Sequence, residues 1–125
     1  MVPENLLYTK DHEWADIKGD TATVGIADYA QQSLGEITFV ELPAAGKQLN
    51  VHDVAAAVES SKAASDIYSP LAGQVAEVND ELSAKPELVN EDCYKTGWIF
   101  KLKVSAPDTK HLMNAEQYEE YLKTI

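Results

Sequence analysis

Thr21 to Ile26 alternates cleanly, with Ala22, Val24 and Ile26 on one face and Thr21, Thr23 and Gly25 on the other. That period of two predicts a half-buried strand. Lys18-Gly19-Asp20 before it is a turn signal, so His12–Ile17 is predicted to pair with it as a hairpin. Asp28–Leu34 reads as a short helix with Asp28 as N-cap, Gln31 three residues on as its capping-box partner, and Gly35 as the left-handed stop. Ile37–Leu42 is strand-like and ends at Pro43. A turn at Ala44-Ala45-Gly46-Lys47 opens a second β-like run, Asp53–Glu59, which leads into Ser60-Ser61-Lys62. Asp66–Tyr68 leads away to Ser69-Pro70-Leu71-Ala72-Gly73. Gln74–Val78 is a weaker strand. Trp98–Val104 is a clear one, with Trp98, Phe100, Leu102 and Val104 facing in and Lys101 and Lys103 facing out.

From Ser105 the period changes. Ser105-Ala106-Pro107-Asp108 reads as a helix start, and Asn114 with Gln117 gives a second capping-box pattern. Ala115, Tyr118, Tyr121, Leu122 and Ile125 share one helical face. Short strands with regular turns predict a mainly β sandwich or barrel, and 125 residues predict one domain, residues 1–125, with a helical part over about 106–125.

Composition and charge narrow the function classes. A net charge of −11 argues against nucleic acid and against an anionic membrane surface. It suits a soluble protein that visits several partners. Cys93 is the only cysteine, so an intramolecular disulfide and the zinc spacings are absent. His12, His52 and His111 lack ligand spacing. The N-terminal residues resemble neither a signal peptide nor an Arg-rich transit sequence, so a cytoplasmic bacterial protein is expected, or a mature mitochondrial form of a processed eukaryotic one.

Candidate chemistry centres on Lys62. A lysine among small residues is ordinarily a solvated surface charge. Here it stands at the predicted tip of a stiff hairpin, where a modifying enzyme could reach its amine. Glu59 lies three residues before it, Gly46 sixteen before and Gly73 eleven after. A Schiff-base lysine would need burial or a cationic neighbour to lower its pKa, and nothing near Lys62 supplies either. Biotin acceptors place methionine on both sides of the lysine, whereas Ser61 and Ala63 flank this one.

Glu59-x-x-Lys62-Ala63 with the flanking glycines resembles the lipoylation site of the glycine cleavage system H proteins. Tyr8-Thr9-Lys10-Asp11-His12-Glu13-Trp14, Val24–Gln31, Phe39-Val40-Glu41-Leu42-Pro43, Pro86-Glu87-Leu88-Val89-Asn90 and Gly97-Trp98 resemble further signatures of that family, in the family's order. The family often has proline where Cys93 stands.

The resemblance implies a barrel-sandwich hybrid, the fold of lipoyl and biotinyl domains, with short helices and a C-terminal helix. It implies lipoate on Lys62, attached by a lipoyl ligase or octanoyltransferase that reads Glu59, Gly46 and Gly73. It also implies a carrier rather than an enzyme. The carrier would take an aminomethyl group from glycine decarboxylase (the P protein) to aminomethyltransferase (the T protein) and be reoxidised by dihydrolipoamide dehydrogenase (the L protein). An H-like lipoyl relay to other apoproteins is the alternative. The loaded arm is expected to fold back near Glu13, with Asp11 and Asp66 as further carboxylates that would favour a protonated amine. Ser33 stands where some relatives carry histidine, so a histidine contact to the arm is not assumed.

Overall fold

The structure, a computed structural model, describes residues 2–125. The predicted hairpin is present: β2 (Glu13–Lys18) pairs antiparallel with β3 (Thr21–Ile26), with Lys18 opposite Thr21 and Gly19 at φ 62° in the turn. Trp14 faces Gly25 across the pair, and a β-carbon at Gly25 would fall 2.6 Å from the indole ring. Glycine there lets the ring lie across β3, where its Nε1 donates to the carbonyls of Ile26 (3.1 Å) and Cys93 (3.0 Å).

The other strands are β1 (Leu7–Tyr8), β4 (Ile37–Glu41), β5 (Gln48–Leu49), β6 (Val54–Ser60), β7 (Ala64–Tyr68), β8 (Gly73–Val78) and β9 (Phe100–Lys103). They form a six-stranded sheet in the order β1-β2-β3-β9-β8-β5 and a three-stranded sheet in the order β4-β6-β7, all antiparallel. Neither closes on itself. Ala22, Val24, Val75, Phe100 and Leu102 from the first sheet and Ile37, Val40, Val58 and Ile67 from the second share one buried core. The fold is a barrel-sandwich hybrid, mainly β, with a C-terminal helix.

Three local expectations shift. In α1 (Asp28–Leu34) the N-cap is Ala27, and Asp28 is the first helical residue. Its amide donates to the Tyr94 hydroxyl (3.0 Å), so a distant side chain satisfies it. The Asp28 carboxylate instead accepts from the side chains of Gln31 (2.7 Å) and Gln32. Gly35 does end the helix, at φ 78° and ψ −157°. The late strand begins at Phe100 rather than Trp98. Trp98 is only half-buried, its carbonyl accepts from Asn79 Nδ2 (2.8 Å), and Ile99 enters the core in its place.

The helical region is shorter than 106–125. Ser105–Met113 is irregular, with Ala106 at φ 44°, because Met113 and Tyr8 exchange both backbone hydrogen bonds (2.8 Å each) and draw the segment alongside β1. The last helix, α4 (Ala115–Leu122), starts at the predicted capping box. Asn114 Oδ1 accepts from the Gln117 amide (2.8 Å), and Gln117 Oε1 accepts from the Asn114 amide (2.9 Å). Ala115 and Tyr118 are buried, and the Tyr118 ring stacks on Tyr8 at 4.5 Å. Ile125 lies past the helix and is 56% exposed, so it takes no part in that face. Two single-turn helices, α2 (Glu81–Ala84) and α3 (Leu88–Glu91), add to the helices the pattern predicts.

Candidate functional site

β6 and β7 pair from Val54↔Tyr68 at the root to Glu59↔Ala64 near the tip, and Lys62 is in the connection. Ser60 makes that connection tight. Its amide donates to the Ala63 carbonyl (2.8 Å), and its Oγ accepts from the amides of Ala63 (3.2 Å) and Lys62 (3.4 Å). Sequence reasoning gave Ser60 only the merit of being small; serine before a turn was the available signal. Lys62 is exposed, and among the described residues its Nζ has no hydrogen-bond or ion-pair partner. Acylating it therefore breaks no bond in the fold.

The lysine stem rests on the end of α1. A β-carbon at Gly35 would stand 3.3 Å from Lys62 Cε. Asn90 of α3 fixes this corner. Its Nδ2 donates to the Gly35 carbonyl (2.8 Å) and Gln31 Oε1 (2.9 Å), and its Oδ1 accepts from the Ile37 amide (2.8 Å). One half-buried side chain thus ties α3 to α1 and to the start of β4. The sequence showed Asn90 only as part of a motif, without this role.

Glu59 is exposed on β6 beside the tip. Gly46 and Gly73 lie on the chain beyond the hairpin root, and their contacts are with the six-stranded sheet. Gly46, at φ 89°, donates to the Val75 carbonyl (2.7 Å). At Gly73 a β-carbon would fall 2.6 Å from the Lys103 carbonyl, so glycine lets β8 approach β9. Both glycines thus shape the β9-β8-β5 end of the six-stranded sheet.

Glu13 is buried, 2% exposed, under a pocket of about 320 Å³ whose lining includes Thr9, Asp11, Val51, His52 and His111. Its Oε1 accepts from the Thr9 hydroxyl (2.7 Å) and its Oε2 from the Tyr68 amide (3.1 Å). Burial lifts its pKa to about 7; the two hydrogen bonds oppose the rise and the Asp11 charge adds to it. Asp11 pairs with His52 Nε2 (3.1 Å), and the His52 ring stacks on Tyr68 at 4.4 Å. His12 turns the other way, with its Nδ1 2.7 Å from the Tyr118 hydroxyl, and burial lowers its pKa.

Glu13 and Asp11 therefore share a pocket, and two other predicted residues do not line it. Asp66 lies on the outer face of β7 opposite Ala57. Ser33 is exposed on α1 and turns back to donate to the Tyr29 carbonyl (2.8 Å). Period-2 alternation sends Asp66 outward, and a serine inside a helix bonds its own preceding turn.

The family model described as glycine cleavage H-protein matches residues 6–125. The chain belongs to that family. It is 53% identical over 127 aligned positions to the probable glycine cleavage system H protein of Pyrococcus horikoshii, covering 99% of this chain and 94% of the relative. It is 50% identical to the glycine cleavage system H protein of Thermus thermophilus over 124 positions, covering 98% and 97%. The crystal structure of the H protein from Mycobacterium marinum superposes with a TM-score of 0.89 at 34% identity, covering 97% of this chain and 98% of that one. H-protein membership extends along the whole hairpin and both glycine turns, so the Lys62 tip sits within the matched region.

Proposed function

We propose that this chain is the lipoyl-bearing carrier of a glycine cleavage system, with lipoate joined to Lys62 as an amide. The observation that carries this reading is the state of Lys62: exposed, without a partner for its amine among the described residues, and held at a tip that Ser60 fixes from within. When bound, the dithiolane supplies the redox and group-carrying chemistry on which an aminomethyl unit travels from the P protein to the T protein, and the L protein restores its disulfide. Rigid presentation of the amine suits both a lipoyl ligase or octanoyltransferase and the later partners. The cytoplasm fits an acidic shuttle, and no described helix is long and apolar enough to cross a membrane.

Glu13 serves the loaded state. Its position is reached along β7, whose last residue, Tyr68, donates to it four residue steps from Ala64, roughly 13 Å at strand rise. A carboxyl with a pKa of about 7 holds a proton near neutral pH and can give it to an amine that enters the pocket. The resulting carboxylate then pairs with the ammonium, and a protonated nitrogen has no lone pair with which to expel a thiolate. Asp11 adds negative charge at the same pocket.

Intact-mass measurement of the protein from its own cell, followed by peptide mapping, tests the attachment. A lipoyl increment on Lys62 is expected; an unmodified Lys62 in a cell that lipoylates other proteins would end the proposal. Reconstitution with P, T and L proteins separates the carrier from a lipoyl relay, because a pure relay would not support glycine-dependent methylene transfer.

A further inference from the structure

β4 carries a bulge. Its pairing with β6 steps from Ile37↔Ser60 to Phe39↔Glu59, so Thr38 is the extra residue. Unbroken alternation from the buried Ile37 would bury Phe39 and expose Val40. The inserted Thr38 reverses this. Val40 is buried opposite the buried Val58, and Phe39 is turned out beside Glu59 with 52% of its surface exposed. The Thr38 hydroxyl donates to the Glu59 carbonyl (3.2 Å), which fastens the bulge to the lysine-bearing strand. Bulges often re-aim a side chain next to a functional site.

Glu59 pairs on its other side with Ala64, so Phe39, Glu59 and Ala64 form one row across the outer face of the three strands. That row adjoins the Ser60–Ala63 tip. It presents an exposed aromatic ring, a carboxylate and a small residue that leaves room for a covering surface.

We propose that Phe39 anchors the enzyme that acylates Lys62, entering an apolar slot on that enzyme flanked by a cation that meets Glu59. The inference rests on Lys62 being the attachment point. The acylating enzyme is the occupant because it must bring its reactive carbon to Nζ, and so must cover the tip and the row beside it. The P, T and L proteins address the far end of the attached group. With the ATP-dependent ligase, an amide bond forms between Nζ and the acyl carbon, the bond from that carbon to the adenylate oxygen breaks with AMP leaving, and the lysine ammonium gives up two of its three protons to solvent.

The test measures acylation of the unmodified full chain by a lipoyl ligase with ATP and lipoate, following intact mass at early times. Phe39→Thr keeps strand propensity and is expected to raise the KM for the chain about tenfold or more, as loss of an aromatic anchor does, with kcat within about twofold. Phe39→Leu should recover most of the loss, and Phe39→Lys, which sets a cation against the proposed cation, should deepen it. Glu59→Gln should raise KM as well. Val54→Thr is the control: Val54 is 48% exposed on the same sheet but stands at the hairpin root opposite Tyr68. Thermal melts establish that each variant is folded, and F39L and F39K carry the test if F39T is not. A wild-type KM in F39T and F39K would overturn the anchor, as would an equal loss in V54T. Failure of the wild-type chain to be acylated at Lys62 is a different result and would overturn the carrier reading itself.

Discussion

Lys62 rests on Gly35: a β-carbon at residue 35 would stand 3.3 Å from Lys62 Cε and 3.8 Å from Nζ. The contact exists because the chain leaves α1 through φ 78°, ψ −157°, a backbone region populated essentially by glycine alone. Gly35→Ala should therefore lower stability by about 2 kcal/mol, read from the urea midpoint. Most of that loss should persist in a Lys62→Ala background, since the strain lies in the backbone and the flexible stem can yield.

Asn90→Ala removes three hydrogen bonds that converge on the same corner. It leaves the Ile37 amide and the Gly35 carbonyl without their partner. A loss of about 2–3 kcal/mol is expected. Hydrogen exchange at the Ile37 amide should speed more than at Val24 on the opposite sheet, which would place the damage at the corner.

Glu13 gives the fold a pH dependence of known sign. Its pKa is about 7 in the fold and about 4.3 in an unfolded chain, so the native state favours the neutral acid. The contribution is fully present below about pH 4 and is lost as pH rises from there through 7, on the order of 4 kcal/mol in all. Between pH 5 and 8 the urea midpoint of the wild type should fall, and that of Glu13→Gln should stay flatter. A wild-type midpoint that is level over this range would refute the burial argument.

The same residue has a functional prediction. Glu13→Ala should shorten the half-life of the aminomethyl-loaded carrier, measured as formaldehyde release without T protein. Asp11→Asn should have a smaller effect, because Asp11 is exposed and already paired with His52. An unchanged half-life in the Glu13 variant would remove the protective role.

Asn114→Ala breaks the capping box at the start of α4. About 1 kcal/mol should be lost, visible in thermal melts. The Tyr8–Tyr118 stack should survive, because it depends on burial of both rings rather than on the cap.

What was legible in the sequence was local. Gly19 and the alternation of Thr21–Ile26 specify the first hairpin, and Asn114 with Gln117 specifies the last helix, because each signal lies within a few residues of what it controls. Partners distant along the chain were not legible. The Asp28 amide is satisfied by Tyr94, 66 residues away, and Met113 pairs with Tyr8 instead of continuing a helix. The bulge at Thr38 had no local signature, since threonine and phenylalanine both suit an unbroken strand. At the site, the exposed Lys62 followed from its small neighbours and turn. The burial of Glu13 did not: it depends on Thr9 and Tyr68 meeting one carboxyl from two directions. Asp66 was a candidate only as a carboxylate near the tip, and Ser33 only as the residue standing where some relatives carry histidine; β7 turns the first outward and α1 bonds the second to its own preceding turn.

The tip that carries Lys62 is fastened from within by Ser60, and among the described residues the amine at its end has no hydrogen-bond or ion-pair partner. Folding and cargo are thus separate affairs for this chain. On the carrier reading, a cell short of cofactor would keep an idle stock of folded protein and could put it back to work by one acyl transfer without new synthesis.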